Sequence, residues 1–271
     1  MDLTMGYDCN IIANNNTDFV IANNIKSGNV PLLIGGGNDS FVSDMNFDLE
    51  ECCQKNPSFR VRLKKAETKL KSPISLQEKL STIQEFMETA MPMCPLDKVD
   101  KRTGLIFDGE PFSCLVENQM SMCFERATMA QYLCQESGIN SYLANSYVHI
   151  KNGEQGQHAY VIFEDNNQMF VYDPANPLKD GKPRIMSSDM DKTIFSDFVE
   201  AINHNADCND KKQKNCVGFV CQHEDGKMFL YRSHCGTDKN KVGIQKLKEA
   251  RLKKAIEAKA QSQAVDNTIV L

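Results

Sequence analysis

No stretch of this chain approaches the roughly 18 consecutive apolar residues that a membrane-spanning helix requires, so no span is predicted. A basic surplus is missing as well. The 31 Lys and Arg stand against 36 Asp and Glu, a formal net charge of −5, which lacks the electrostatic footprint of a nucleic-acid binder. Local basic runs, Arg60 to Lys71 and Lys239 to Lys254, alternate with apolar residues at helical spacing and read as solvated helix faces. The opening residues MDLTMGYDCNIIANNN show no basic segment followed by an unbroken apolar stretch, so no cleavable export signal is expected. The 11 cysteines are odd in number and scattered, unlike the dense, even framework of a small secreted domain. Reduced thiols are therefore expected, in a cytoplasmic protein or in one exported without a cleavable signal.

The 271 residues, 41% of them hydrophobic, suffice for one large domain or two small ones. Residues 1–58, rich in Asn, Asp, Gly and Ser, read as an irregular N-terminal arm or subdomain with short strands at Phe19 to Ile25 and Val30 to Ile34. Gly35-Gly36-Gly37 is followed by no Lys-Ser/Thr and reads as a turn rather than a phosphate loop. A helix is predicted from Phe59 to Lys71. A second begins with the capping box Ser75-Leu-Gln-Glu78 and carries Leu76, Leu80, Ile83, Phe86, Met87 and Ala90 at helical spacing, ending before Pro92. Residues 92–117, with three prolines and two glycines, read as a loop-rich approach to the middle of the chain.

A central helix is predicted from Ser121, as N-cap, to Ser137, with Gly138 at the left-handed C-terminal position. Strands come next at Ile139 to Ile150, Ala159 to Glu164 and Met169 to Tyr172, with a hairpin turn at Asp165-Asn166-Asn167. A further helix from Asp191 to Asn203, a hairpin from Asn215 to His234 and a charged amphipathic helix from Val242 to Ala260 complete the chain, which ends in Ile269, Val270 and Leu271. The main domain is therefore placed at 59–240 and a C-terminal helix and tail at 241–271, the latter a possible partner-binding element.

Three residues in the middle of the chain have the order and spacing of a cysteine nucleophile with its base and acid: Cys123, His158 and Asp173. Cys123 falls in the first turn of the central helix, where free backbone amides and the positive end of the helix dipole favour a thiolate and can receive an oxyanion. His158 opens one strand and Asp173 closes the next, and a tight hairpin is expected to set them beside one another. A thiol, an imidazole and a carboxylate so placed suffice for acyl transfer on an amide. The alternative for each residue alone is structural: a core thiol, a satisfied polar histidine and a strand-to-turn Asp-Pro.

The segment from Ser121 to Pro177 resembles the transglutaminase-like core of the papain-like cysteine enzymes. It presents Cys123 opening a helix, Ala127, Gly138-Ile139, His158-Ala159 and Asp173-Pro174 in that family's order, with Tyr160 and Tyr172 where the family usually has aromatic residues. The resemblance implies an α+β fold, a nucleophile-bearing helix packed on an antiparallel sheet, with Cys123, His158 and Asp173 as nucleophile, general base and orienting carboxylate. It implies action on protein glutamine side chains, by deamidation or transamidation, with a peptidase carrying the same three residues, or a non-enzymatic interaction module, as alternatives. Gln119 is the candidate side-chain oxyanion donor, because papain-like sites commonly place a Gln near the nucleophile; otherwise it is a solvent-facing loop residue. The protein would take a protein substrate and need no cofactor. The composition and the N-terminal arm would also suit a bacterial effector delivered into a host cell. His204, Cys208, Cys216, Cys221, His223, His234 and Cys235 form a second cluster in sequence, but no C-x-x-C pair occurs among them and no metal site is assigned.

Overall fold

A computed structural model describes residues 10–14, 20–34, 41–150, 155–166, 168–188, 218–222 and 228–232. Within them lie ten strands and six α-helices, a mixture of helix and antiparallel sheet. The strands are β1 (Asn10–Asn14), β2 (Val20–Asn23), β3 (Gly28–Ile34), β4 (Phe41–Phe47), β5 (Ser141–Ile150), β6 (Gln155–Asp165), β7 (Gln168–Asp173), β8 (Arg184–Ser188), β9 (Gly218–Gln222) and β10 (Met228–Arg232). The helices are α1 (Leu49–Lys55), α2 (Pro57–Leu70), α3 (Leu76–Ala90), α4 (Val99–Phe107), α5 (Phe112–Glu117) and α6 (Cys123–Glu136).

The sheet is organised around β5. One edge of β5 pairs with β6 from Ser141 opposite Phe163 to His149 opposite Gln155. The other edge is shared, β2 pairing with Leu143 to Asn145 and β10 with Tyr147 to Ile150. Antiparallel pairing continues β6 to β7 to β8 to β9 to β10, so the hydrogen-bonded strands β5 to β10 return upon themselves in a ring, with β2 and β1 attached beside them. β3 and β4 form a separate hairpin.

Helix α6 lies on β5 and β6 and is covered on its other side by α3 and α2. It is therefore buried almost all round, from Phe124 through Gln131 and again at Leu133 and Cys134. α3 starts with the capping box expected at Ser75 and Glu78 and buries Leu80, Ile83, Phe86, Met87 and Ala90. α6 ends as expected with Gly138 in the left-handed region, φ 79°, where the amide of Ile139 donates to the carbonyl of Cys134. The β6–β7 turn also forms where predicted, with Asn166 at φ 50°. The β9–β10 hairpin is present in its strands. The described residues among 1–58 include β1 to β4, α1 and the start of α2, and Ile25, Val30, Leu32, Met45, Phe47 and Cys52 join the same core as α3 and α6. Phe47 meets Phe112 edge to face at 4.9 Å. The predicted helices at Asp191 to Asn203 and Val242 to Ala260, the C-terminal residues Ile269 to Leu271 and the Gly35 to Gly37 turn lie outside the described residues.

Two expectations are corrected. Residues 92–117 are a short 3-10 helix at Leu96–Lys98 followed by α4 and α5, rather than loop. The buried residues of α4 are Arg102 and Ile106, so a charged residue occupies its core side and blurs the apolar periodicity. The N-cap of α6 is Met122, not Ser121. Ser121 is held extended in a bridge with Met93, its carbonyl accepting from the Cys94 amide at 2.7 Å, and its side chain is buried. The end of the helix is closed from inside instead, by Glu125 Oε2 accepting from the Met122 amide at 2.7 Å.

Candidate active site

Cys123 is the first residue of α6, so its backbone amide has no intrahelical acceptor and lies at the positive end of the helix. The residue as a whole is half-buried. The His158 ring and the backbone amide of Ala159 lie beside the sulfur and favour its charged form. The other side of the imidazole is fixed: His158 Nε2 meets Asp173 Oδ2 at 2.8 Å, which leaves Nδ1 as the nitrogen available to the thiol. Tyr160, two residues along β6 and on the same face, stacks on the imidazole at 6.1 Å between ring centroids and 25° between planes.

The pairing of β6 and β7 refines one expectation. The last registered pair sets Val161 opposite Tyr172, so one step further Asp173 falls level with Tyr160 rather than His158. His158 and Asp173 are thus diagonal neighbours on one face of the hairpin, within side-chain reach. The Asp173 carboxylate is 1% exposed and fully engaged. Oδ1 accepts from the Ala175 amide at 3.1 Å, and Oδ2 accepts from Asn176 Nδ2 at 3.0 Å as well as binding His158.

These contacts set the protonation pattern. Burial opposes ionisation of Cys123, but the hydrogen bond and charge of His158, with the Ala159 amide, outweigh it and lower the thiol's pKa. Burial likewise opposes the charged form of His158, and Asp173 and Cys123 overcome it, raising the imidazole well above 6.5. Asp173 is lowered in spite of burial, by His158, Asn176 and Ala175. The other shifted thiols move the opposite way. Burial pushes Cys52 and Cys134 up to about 12 and raises Cys53 and Cys94. Among the described thiols whose pKa shifts, Cys123 is the one moved toward the thiolate, and it and the His158 imidazole each favour the other's charged form, a pairing suited to a nucleophile and a proton donor.

No protein-family model matches this chain, and no curated protein does. The chemistry of the site rests on its own atoms.

Of the four residues singled out in the sequence, Cys123, His158 and Asp173 are brought together. Gln119 lies two residues past the end of α5 in the left-handed region, φ 54°, with its backbone amide donating to the Val116 carbonyl; it is exposed and does not join this group. No group of three or more metal-binding side chains occurs among the described residues. Cys221 lies in β9, and His204, Cys208, Cys216, His223, His234 and Cys235 lie outside the described residues.

Several residues around the site escaped the sequence reading. Glu125, fully buried, pairs with Arg102 Nη2 at 2.6 Å beneath the first turn of α6. Arg126, also fully buried, donates to the carbonyls of Pro174 and Met91 and pairs with Glu88. Adjacent charged residues inside an otherwise apolar helix were the available signal, since a buried charge demands a partner. Asn176 was legible in another way, because Asp173-Pro-Ala-Asn has the form of a turn that an Asp side chain closes on the backbone two residues ahead.

Proposed function

We propose that this protein is a cysteine-dependent acyl-transfer enzyme with a transglutaminase-like, papain-like fold, acting on the side-chain amide of protein glutamine by deamidation or transamidation. The observation that carries the reading is the arrangement at one helix terminus: a thiol on the first residue of the helix, beside an imidazole whose Nε2 meets a buried carboxylate at 2.8 Å, with the thiol's pKa lowered by that imidazole.

The Cys123 thiolate adds to the amide carbon, and the carbonyl oxygen becomes an oxyanion facing the free Cys123 amide at the helix end. The imidazolium of His158 passes its proton to the departing nitrogen, the C–N bond breaks and ammonia leaves a thioester on Cys123. Neutral His158 then removes a proton from the second nucleophile, which attacks the thioester and releases the thiolate. Water as that nucleophile yields glutamate, and an amine yields a new amide. Asp173 holds the ring in one tautomer and stabilises its charged form without itself taking the proton.

The test is incubation with a cell lysate and a labelled primary amine, read by mass spectrometry. Amine incorporation into glutamine, or conversion of glutamine to glutamate, is expected with the wild-type protein and not with Cys123→Ala. New peptide termini in place of either would make the enzyme a peptidase. Identical spectra from wild-type and Cys123→Ala proteins would defeat the proposal.

A further inference from the structure

Arg126 lies one helical turn after Cys123 and is 0% exposed, an unusual place for a guanidinium. All three of its nitrogens are engaged. Nε donates to the carbonyl of Pro174 at 2.9 Å, Nη1 donates to the carbonyl of Met91 at 3.1 Å, and Nη2 pairs with the Glu88 carboxylate. Pro174 is the residue after Asp173. Its carbonyl accepts a second bond, from Gln84 Nε2 at 3.3 Å, and the same amide nitrogen donates to Glu88 Oε1 at 2.7 Å. The loop closes through Tyr172, the residue before Asp173, whose hydroxyl donates to Gln84 Oε1 at 2.8 Å. The acid is therefore gripped on both sides in sequence by one network, and that network is rooted in the helix that starts with the thiol.

We infer that Arg126 is a positioning residue that registers the turn bearing Asp173 against the helix bearing Cys123, so that His158 is held between acid and thiol. The role rests on the acyl-transfer reading of Cys123. A planar fork with several donors suits it, because one side chain fixes a carbonyl of the turn, a carbonyl before the nucleophile's segment and a carboxylate on α3 at once. Without it the Pro174 carbonyl keeps only the longer Gln84 bond, the turn gains freedom, and the His158–Asp173 contact of 2.8 Å loosens. The consequence reaches Cys123 only through His158.

The test is the alkylation rate of Cys123 as a function of pH, in the wild-type protein, Arg126→Ala and Glu88→Ala. Glu88 lies at an exposed position, so its replacement removes the carboxylate that anchors the guanidinium while leaving the packing around Arg126 in place, and thermal unfolding of each variant checks that it is folded under the assay conditions. In Arg126→Ala the inflection should rise by about one pH unit toward that of a free thiol, a roughly tenfold slower reaction near pH 6 that vanishes at pH values above about 9. Glu88→Ala should shift it the same way by less. A merely structural arginine would lower the melting temperature and leave the inflection where it was. If both variants titrate like the wild type while His158→Ala abolishes the lowered inflection, the positioning role is wrong and the acyl-transfer reading stands. If the wild-type thiol itself titrates as an ordinary cysteine, both fall.

Discussion

Replacing Arg102 with leucine is expected to expose how much the floor of the site depends on one buried ion pair. Arg102 Nη2 lies 2.6 Å from Glu125 Oε1, with the arginine side chain 11% exposed and the glutamate 0%. The other carboxylate oxygen already serves the Met122 amide. Arg102→Leu strands the carboxylate with a single donor and no access to water, and removing one partner of a buried pair costs about 3–5 kcal/mol. At roughly 2–4 °C per kcal/mol for a domain of this size, the melting temperature should fall by about 6–20 °C. Removing the second charge should return much of the loss, so Arg102→Leu with Glu125→Gln is expected to be more stable than Arg102→Leu alone. The substitution should also slow alkylation of Cys123 near neutral pH, since Glu125 opposes ionisation of that thiol and would do so unneutralised. Thermal unfolding of the four proteins in the cycle is the assay. A cost below about 1 kcal/mol for Arg102→Leu, the value of an exposed pair, would refute the reasoning.

Turnover should be bell-shaped in pH, rising as the lowered Cys123 thiol ionises and falling as the raised His158 loses its proton, the two limbs belonging to the coupled pair; a rate that climbs without a descending limb would contradict a required imidazolium. The same groups act on stability. His158, raised in the folded state, stabilises fully below 6.5 and loses its contribution as pH climbs through its folded value, whereas Asp173, lowered, stabilises above 3.8 and loses it as pH falls. Urea unfolding of His158→Gln against wild type should therefore differ most between 3.8 and 6.5. Asp173→Asn should keep the fold and cut turnover by at least about a hundredfold, because an amide neither selects the reactive tautomer nor stabilises the imidazolium. Gly138→Ala should cost about 1 kcal/mol in thermal unfolding, entirely from the left-handed backbone at φ 79°, since an added Cβ there meets nothing within 4 Å.

What the sequence made legible was local chemistry. The Ser75 capping box, the Gly138 terminus, the turn at Asn166 and the strands on either side of it each arise from residues within a few positions of one another. So do the opening of a helix at Cys123 and the end of a strand at Asp173. Features set by distant partners were not legible. α4 reads as loop because its inward side carries Arg102, whose presence there makes sense only once Glu125 is opposite. Ser121 has the chemistry of a cap but spends its backbone on Met93 and Cys94, and Glu125 takes over the helix end. The diagonal relation of His158 to Asp173 depends on a one-step offset in hairpin register that spacing alone leaves open. The Arg126 network, too, joins α3, α6 and the turn after β7 across as many as 90 residues of sequence.

The most direct measurement is competitive labelling of the wild-type protein with a limiting amount of a thiol-directed electrophile at about pH 6, where ordinary thiols of pKa about 8.5 are almost wholly protonated. Peptide mapping then ranks the 11 cysteines. Cys123 should take up most of the label, and His158→Ala should remove its advantage. Even labelling of the accessible cysteines, or preference for another one, would contradict Cys123 as the activated nucleophile.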